Sequence, residues 1–289
     1  MKIGIGLPAA IPGVQGSLVL EWAKQAEAAS FSSLSIIDRI VYKNYEPLIA
    51  LAAVAAVTQR VRLMTTVLIA PLRSAGLLAK QSASIDVFSN GRLTLGLGVG
   101  GREDDYHAVS SVMRNRGKRL EEQLDVMTRI WSGQAMDNEA GPIGPHPVQT
   151  GGPEVLLGGY SAPAVQRVGR WGHGFMAGGG NPQLANQFFR QAEQAWQQAG
   201  RAGKPRLVGC GYFGLGPDAS ERGGAYMLDY YSFLGEAAQQ RAQAVPTTPE
   251  AIRQFAKAFE DIGTDELVLW PTVTDLDQIQ RLAEVVAGL

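Results

Sequence analysis

The chain has 289 residues and sets 26 lysines and arginines against 27 aspartates and glutamates, for a net charge of −1. A nearly neutral chain has no field with which to hold a polyanion, so nucleic acid and anionic membranes are poor partners. The single cysteine, Cys210, excludes an internal disulfide and a cysteine-cluster metal site, while 45% hydrophobic residues is a globular composition.

Taken in chain order, short apolar and β-branched runs predict strands at 2–7, 33–37, 61–69, 93–99, 155–158, 174–177, 207–213 and 266–270. Several are nearly continuous hydrophobic stretches, which suits parallel strands covered on both faces. Helical patterns fill the gaps. After Ser17, read as an N-cap, Leu18, Trp22, Ala26 and Ala29 share one face. The run 48–57 is mostly alanine, too short for a bilayer, and predicts a buried helix. The stretch 119–131 puts Leu120, Leu124, Met127 and Trp131 together, and the last helix does the same with Ile279, Leu282, Val285 and Leu289.

Eight strands, each followed by a helix, predict an α/β protein: one (β/α)8 TIM barrel over 1–289. Two insertions interrupt the rhythm, at about 133–153 and 217–249. The first holds the glycine- and proline-rich stretch 141–153 and reads as a long loop. The second, with Tyr226, Tyr230, Tyr231 and Phe233, reads as an extra helix plus a loop, placed to cover a ligand at the C-terminal rim. The opening apolar stretch, broken by Pro8 and Pro12, lacks a signal-peptide core, so a cytoplasmic location is expected.

Glycine is the compositional outlier, with 35 residues. Gly96, Gly98, Gly100 and Gly101 satisfy the dinucleotide-binding string. Residues 102–107 read as a polar loop, however, and Glu121 and Glu122 fall inside a helix pattern, so a Rossmann site is rejected. These glycines either let a ligand approach the end of the fourth strand or form a tight exit. Gly158, Gly159, Tyr160 and Ser161 precede a helix and make a phosphate cradle, with a plain Ser161 N-cap as the alternative. Gly178, Gly179 and Gly180 mark a sharp turn or a cofactor contact.

His107, His146 and His173 form no zinc motif, and neither a nucleophile elbow nor a triad is present. The charged groups at strand ends are functional candidates, with Asp38, Arg39 and His107 carried as catalytic and no metal expected. A site with few nucleophiles and many glycines points to chemistry supplied by a bound cofactor.

These residues resemble the bacterial luciferase-like flavin monooxygenase family along nearly the whole chain. The likeness rests on Lys2-Ile-Gly-Ile-Gly-Leu-Pro8, Ala26-Glu-Ala28, Tyr45-Glu-Pro47 and the segment 52–62. It continues through Ala79-Lys-Gln81, Asp86, Ser89, Gly91-Arg92-Leu93, Gly96, Gly98 and Gly100, then Leu157-Gly-Gly159 and the segment 263–269. The resemblance implies a TIM barrel that binds FMN, or alternatively the deazaflavin coenzyme F420, at its C-terminal rim. It places the ring against the third strand near Thr66 and Val67, where members carry a non-proline cis peptide in a bulge. It places the phosphate at Gly158, Gly159, Tyr160 and Ser161, with Gly100, Tyr106, Ala177 and Gly178 lining the ring or ribityl chain.

Two positions depart from the pattern. Many members have histidine after the second strand, where this chain has Asp38 and Arg39, and Met64 stands where glycine is common. Arg39 is therefore expected to orient an anionic substrate or a reduced flavin anion. The implied function is an oxidoreductase that oxidises a small organic substrate with reduced FMN and O2, fed by a partner flavin reductase. The alternatives are F420-dependent hydride transfer, a flavin-binding protein without turnover, and a cofactor-free aldolase or isomerase. The last would need a strand-end lysine, whereas Lys43 and Lys80 lie in loop and helix patterns. Members of this family commonly dimerise through early helices, so a homodimer is expected.

Overall fold

Strands that are apolar on both faces need side chains within and helices without, and a closed cylinder supplies both. In the computed structural model, which describes residues 1–288, the strands are β1 (Lys2–Gly6), β2 (Ser33–Ile36), β3 (Arg62–Ile69) and β4 (Leu93–Gly98), then β5 (Glu154–Gly158), β6 (Gly174–Ala177), β7 (Arg206–Phe213) and β8 (Glu266–Pro271). They pair in sequence order, all parallel, and β8 closes on β1. This is the (β/α)8 barrel that the sequence predicts, and each predicted strand lies within one residue of the observed one at either end.

The helices that cover it are α1 (Gly16–Ala28), α2 (Pro47–Ala55), α3 (Ala75–Phe88), α4 (Glu103–Ala108), α5 (Arg116–Trp131) and α6 (Ala162–Arg170). After them come α7 (Pro182–Gln198), α8 (Ala219–Tyr230), α9 (Glu236–Gln243), α10 (Pro249–Asp261) and α11 (Asp277–Val286). Trp22, Leu51, Leu124, Phe189, Phe259 and Leu282 fill the layer between helices and sheet. A second cluster, including Met64, Leu156, Met176, Val208, Cys210 and Val268, fills the barrel interior. Each fully buried side chain of this size contributes about 1.5–3 kcal/mol, which holds a ring of short strands together.

Four local expectations are corrected. Ser17 lies inside the first turn of α1, and the cap position is Gln15, which makes no side-chain cap bond. Residues 103–108 form α4, not a loop; three acids in its first turn favour a helix start. The rejection of a Rossmann site stands, but its ground changes to the closed barrel, since a helix does follow the glycines. The second insertion carries two helices, α8 and α9, joined by a 3-10 turn, rather than one helix and a loop. Leu289, assigned to the last apolar face, lies outside the described residues.

At the N-terminal end, the first residues of the strands make an ionic belt. Arg206 pairs with both Glu154 and Glu266. Arg62 donates to Thr94 Oγ1 at 2.8 Å, and Ser33 Oγ donates to Glu266 at 2.6 Å. Burial alone would raise the Glu154 carboxyl, but the Arg206 charge and the bonds from Thr94 and Arg206 hold it below the ordinary carboxylate range. Barrels keep stability at this end and chemistry at the other.

Candidate functional site at the C-terminal rim

Beyond the ends of β6 and β7 the chain encloses a cavity of about 480 Å³, within the roughly 300–1,000 Å³ of small-molecule sites. Its floor is the turn Gly178–Gly179–Gly180, its back wall Tyr212 and Met227, and its roof α9 with Gln240 and Arg241. Gly179 and Gly180 hold φ of +80° and +69°, so glycine is required at this turn. The Tyr160 hydroxyl donates to the Gly178 carbonyl and ties the β5 rim to the β6 rim. Ser161 caps α6 by accepting from the Ala164 amide at 3.4 Å, and Asn181 caps α7 by accepting from Leu184 at 2.9 Å. The start of α7 therefore lines the cavity, and Tyr160 brings the segment before α6 to it.

Across the barrel mouth, β3 slips register against β4 between Thr65 and Leu68, and the Thr66–Val67 peptide is cis, as the resemblance implies. Val67 is half-buried and packs at the edge of the interior cluster. A Cβ on Gly98 would lie 2.7 Å from Val67 Cγ2, and one on Gly158 2.9 Å from Cγ1. These two glycines thus make room for the bulge, and the bulge, not a ligand, explains why Gly98 has no side chain. Thr66 is buried; its hydroxyl donates to the Ile36 carbonyl at 3.1 Å and accepts from Trp270 Nε1 at 3.1 Å.

Asp38 and Arg39 are neighbours in sequence that serve different networks. Asp38 Oδ2 accepts from Arg73 Nη1 at 2.7 Å and from the Ile69 amide at 2.8 Å, so it anchors the end of β3. Burial raises the Asp38 carboxyl above its ordinary value in spite of Arg73. Arg39 turns to the second insertion, where it donates to the Tyr230 carbonyl at 2.7 Å, and it also bonds the Val41 carbonyl of its own loop at 3.1 Å. Its guanidinium carbon lies 4.3 Å from the Tyr42 ring centroid and 4.8 Å from that of Tyr230. The Tyr42 hydroxyl donates to Asp229 at 2.7 Å, and Arg102 covers Phe233. These contacts hold the insertion over the mouth. Burial pushes the phenols of Tyr212, Tyr226, Tyr230 and Tyr231 above their ordinary value, so the mouth is lined by neutral hydroxyls.

Of the residues singled out from the sequence, Tyr160 and Gly178 line the cavity. Gly158, Gly159, Ser161 and Ala177 stand at the ends of the same two strands, and Thr66 and Val67 at the bulge. Gly100 and Tyr106 do not join them. Gly100 packs on Ile69, and Tyr106 is buried beside Ile69 and Leu72, with its hydroxyl 2.5 Å from the Val99 carbonyl. Tyr106 thus packs under the rim. Asp38 and Arg39 are occupied as described, and His107 is exposed on the outer face of α4. The sequence reading missed Arg73 and Asp105; Asp105 accepts from the Ile40 and Val41 amides at 2.9 and 2.8 Å. It also missed Arg241, whose one signal was that it stands alone as a cation in the alanine- and glutamine-rich run 237–245.

A closed parallel barrel with a glycine-lined cavity beyond β6 and β7 is the frame on which this rim is built. Residues 1–286 match the luciferase-like monooxygenase family, and the chain belongs to that family. Among solved structures, monooxygenase RslO1 from Streptomyces bottropensis superposes with a TM-score of 0.80 at 20% identity, over 99% of this chain and 98% of that one. An F420-dependent secondary alcohol dehydrogenase, solved with an F420-acetone adduct, gives 0.79 at 16% identity, over 99% of each chain. The oxygenating constituent of 3,6-diketocamphane monooxygenase from Pseudomonas putida, solved with FMN, gives 0.75 at 15% identity, over 100% and 97%. Among the described residues, no helix is long and apolar enough to cross a membrane.

The residues present fit a phosphorylated flavin or deazaflavin. Gly178 leaves open space where a Cβ would stand, and the turn around it faces the cavity. Val67 offers partly exposed apolar surface, which a flat ring can cover. The α7 start and the Arg241 guanidinium supply hydrogen-bond donors on a wall without a competing carboxylate.

Proposed function

We propose that the protein is an FMN-dependent monooxygenase that acts on a small organic substrate, with the reduced flavin delivered by a separate reductase. The observation that carries the reading is the pairing of the β3 bulge at Thr66–Val67 with the glycine-floored cavity at Gly178. One offers a surface for a ring, and the other offers room for a charged tail. Bound there, reduced FMN would supply the electrons for O2 activation, whereas F420 would supply a hydride and leave O2 unused.

The chain's own residues bind, orient and exclude water. Tyr160, with its hydroxyl on Gly178, keeps the two rims at fixed separation. The insertion clamped by Arg39, with Tyr226, Tyr230 and Tyr231, closes the mouth so that a reactive centre is kept from solvent. Asp38 acts as a positioning residue, because both of its oxygens are engaged by Arg73. Arg39 holds the insertion through the Tyr230 carbonyl.

F420-dependent hydride transfer is the second reading, supported by the full-length superposition on a dehydrogenase solved with an F420-acetone adduct. Titration of the apoprotein with FMN and with F420, each followed by fluorescence quenching, tests both. The proposal expects saturable binding of FMN with one site per chain. Binding of F420 alone would transfer the assignment to the second reading, and no uptake of either would overturn both.

A further inference from the structure

We propose that Arg241, carried by α9 of the second insertion, is the residue that pairs with the cofactor's phosphate and couples cofactor loading to the seating of that insertion. The inference rests on the cofactor reading above and deepens it. Among the described residues, Arg241 is the sole charged side chain on the cavity wall, and no carboxylate lines the cavity to neutralise it. Its Nη1 stands 3.3 Å from the place where a Cβ on Gly179 would be, so the guanidinium hangs over the turn Gly178–Gly179–Gly180. A side chain at position 179 would close that approach, and the φ of +80° there selects glycine as well.

The guanidinium is also held from one side. Its carbon lies 4.9 Å from the Tyr231 ring centroid, and Tyr231 hydroxyl meets Tyr212 hydroxyl at 3.1 Å. Arginine on an aromatic face keeps its planar fork free along the ring edge. The fork is therefore presented toward Tyr160 and the glycine turn, where it matches a phosphate with two parallel donors. Arg241 is exposed at the mouth of the cavity, so the pair it makes is partly screened by water and salt.

The arrangement has a consequence for order of assembly. Arg39 fastens the near end of the insertion through the Tyr230 carbonyl, while α9 lies beyond it. A phosphate bridging the β5 and β6 rims to Arg241 would fasten the far end. Loading would thus tighten α9 over the cavity, and an empty site would leave it held by apolar contacts and the stacking of Arg241 on Tyr231.

The test uses the ligand's own phosphate as a deletion. Wild-type protein, Arg241→Gln and Arg241→Lys are titrated by fluorescence quenching with FMN and with riboflavin, which lacks the phosphate, and in parallel with F420 and its phosphate-free deazaflavin alcohol. The wild type should prefer the phosphorylated member of whichever pair it binds. Arg241→Gln should lose roughly tenfold of that preference while keeping riboflavin or alcohol affinity unchanged, and Arg241→Lys should recover part of it. Rising salt should erode the preference in the wild type and not in Arg241→Gln. Equal preference in wild type and Arg241→Gln would overturn the inference while leaving the cofactor reading intact, as would a wild type that binds FMN and riboflavin alike. Failure of wild type to bind any of the four would overturn the reading and the inference together.

Discussion

At the N-terminal end of the barrel, Arg206 of β7 joins Glu266 of the adjacent β8 and Glu154 of β5, two strands away, and each of these charges has a charged or hydroxyl partner. At the C-terminal end, Arg39 lies on aromatic faces and backbone carbonyls, Arg102 pairs with Asp104 while covering Phe233, and Arg241 overlooks a cavity without an acid. The open depression at the N-terminal end is larger, about 920 Å³ against about 480 Å³, yet its walls are these satisfied pairs. Size alone would choose the wrong end. What separates the two is whether the polar groups already have partners.

The largest effect should come from breaking the belt. Arg206→Met leaves Glu266 buried without its cation, so urea unfolding should show a loss of about 3–5 kcal/mol. Flavin affinity of the folded fraction should stay unchanged; a loss of affinity with no loss of stability would reverse the roles assigned to the two ends. The next effect belongs to the bulge. Gly98→Ala drives a Cβ into Val67 and should cost about 1–3 kcal/mol and weaken flavin binding, while Gly98→Ala with Val67→Ala should regain most of both. A double variant no better than the single would mean that the glycine is needed for something other than the bulge.

Arg39→Met should act locally. Removing the charge-assisted bond to the Tyr230 carbonyl and the stacking on Tyr230 and Phe233 frees the insertion, so limited proteolysis within 217–249 should rise about tenfold or more while the global unfolding midpoint barely moves. Unchanged proteolysis would show that apolar contacts suffice to hold it. The smallest effect is a pH dependence at the belt. The folded Glu154 carboxyl titrates below its ordinary value, so its contribution is complete above about pH 4.3 and is lost as pH falls through the folded value. The urea midpoint should therefore drop less between pH 6 and pH 3.5 in Glu154→Gln than in the wild type.

The barrel was legible because each strand is a compact apolar run between turn signals, and such runs are what a strand buried on both faces requires. Ser161 was legible as a cap for the same local reason. The site was less so. Tyr106 and Gly100 sit where the resemblance puts a ring, but a packing cluster with Ile69 and Leu72 holds them under the rim, and only the fold brings those residues together. Asp38 and Arg39 read as one pair at a strand end, yet consecutive side chains diverge there toward Arg73 and toward Tyr230. Arg241 comes from an insertion whose two helices carry weak apolar patterns, so nothing local placed it at the cavity.

Hydrogen–deuterium exchange of the apoprotein, with and without saturating FMN or F420, tests the location of the site most directly. Protection should concentrate at residues 158–162, at 178–184 and in α9, with the N-terminal belt unchanged. Protection confined to the belt, or spread evenly along the chain, would contradict a cofactor seat at the C-terminal rim.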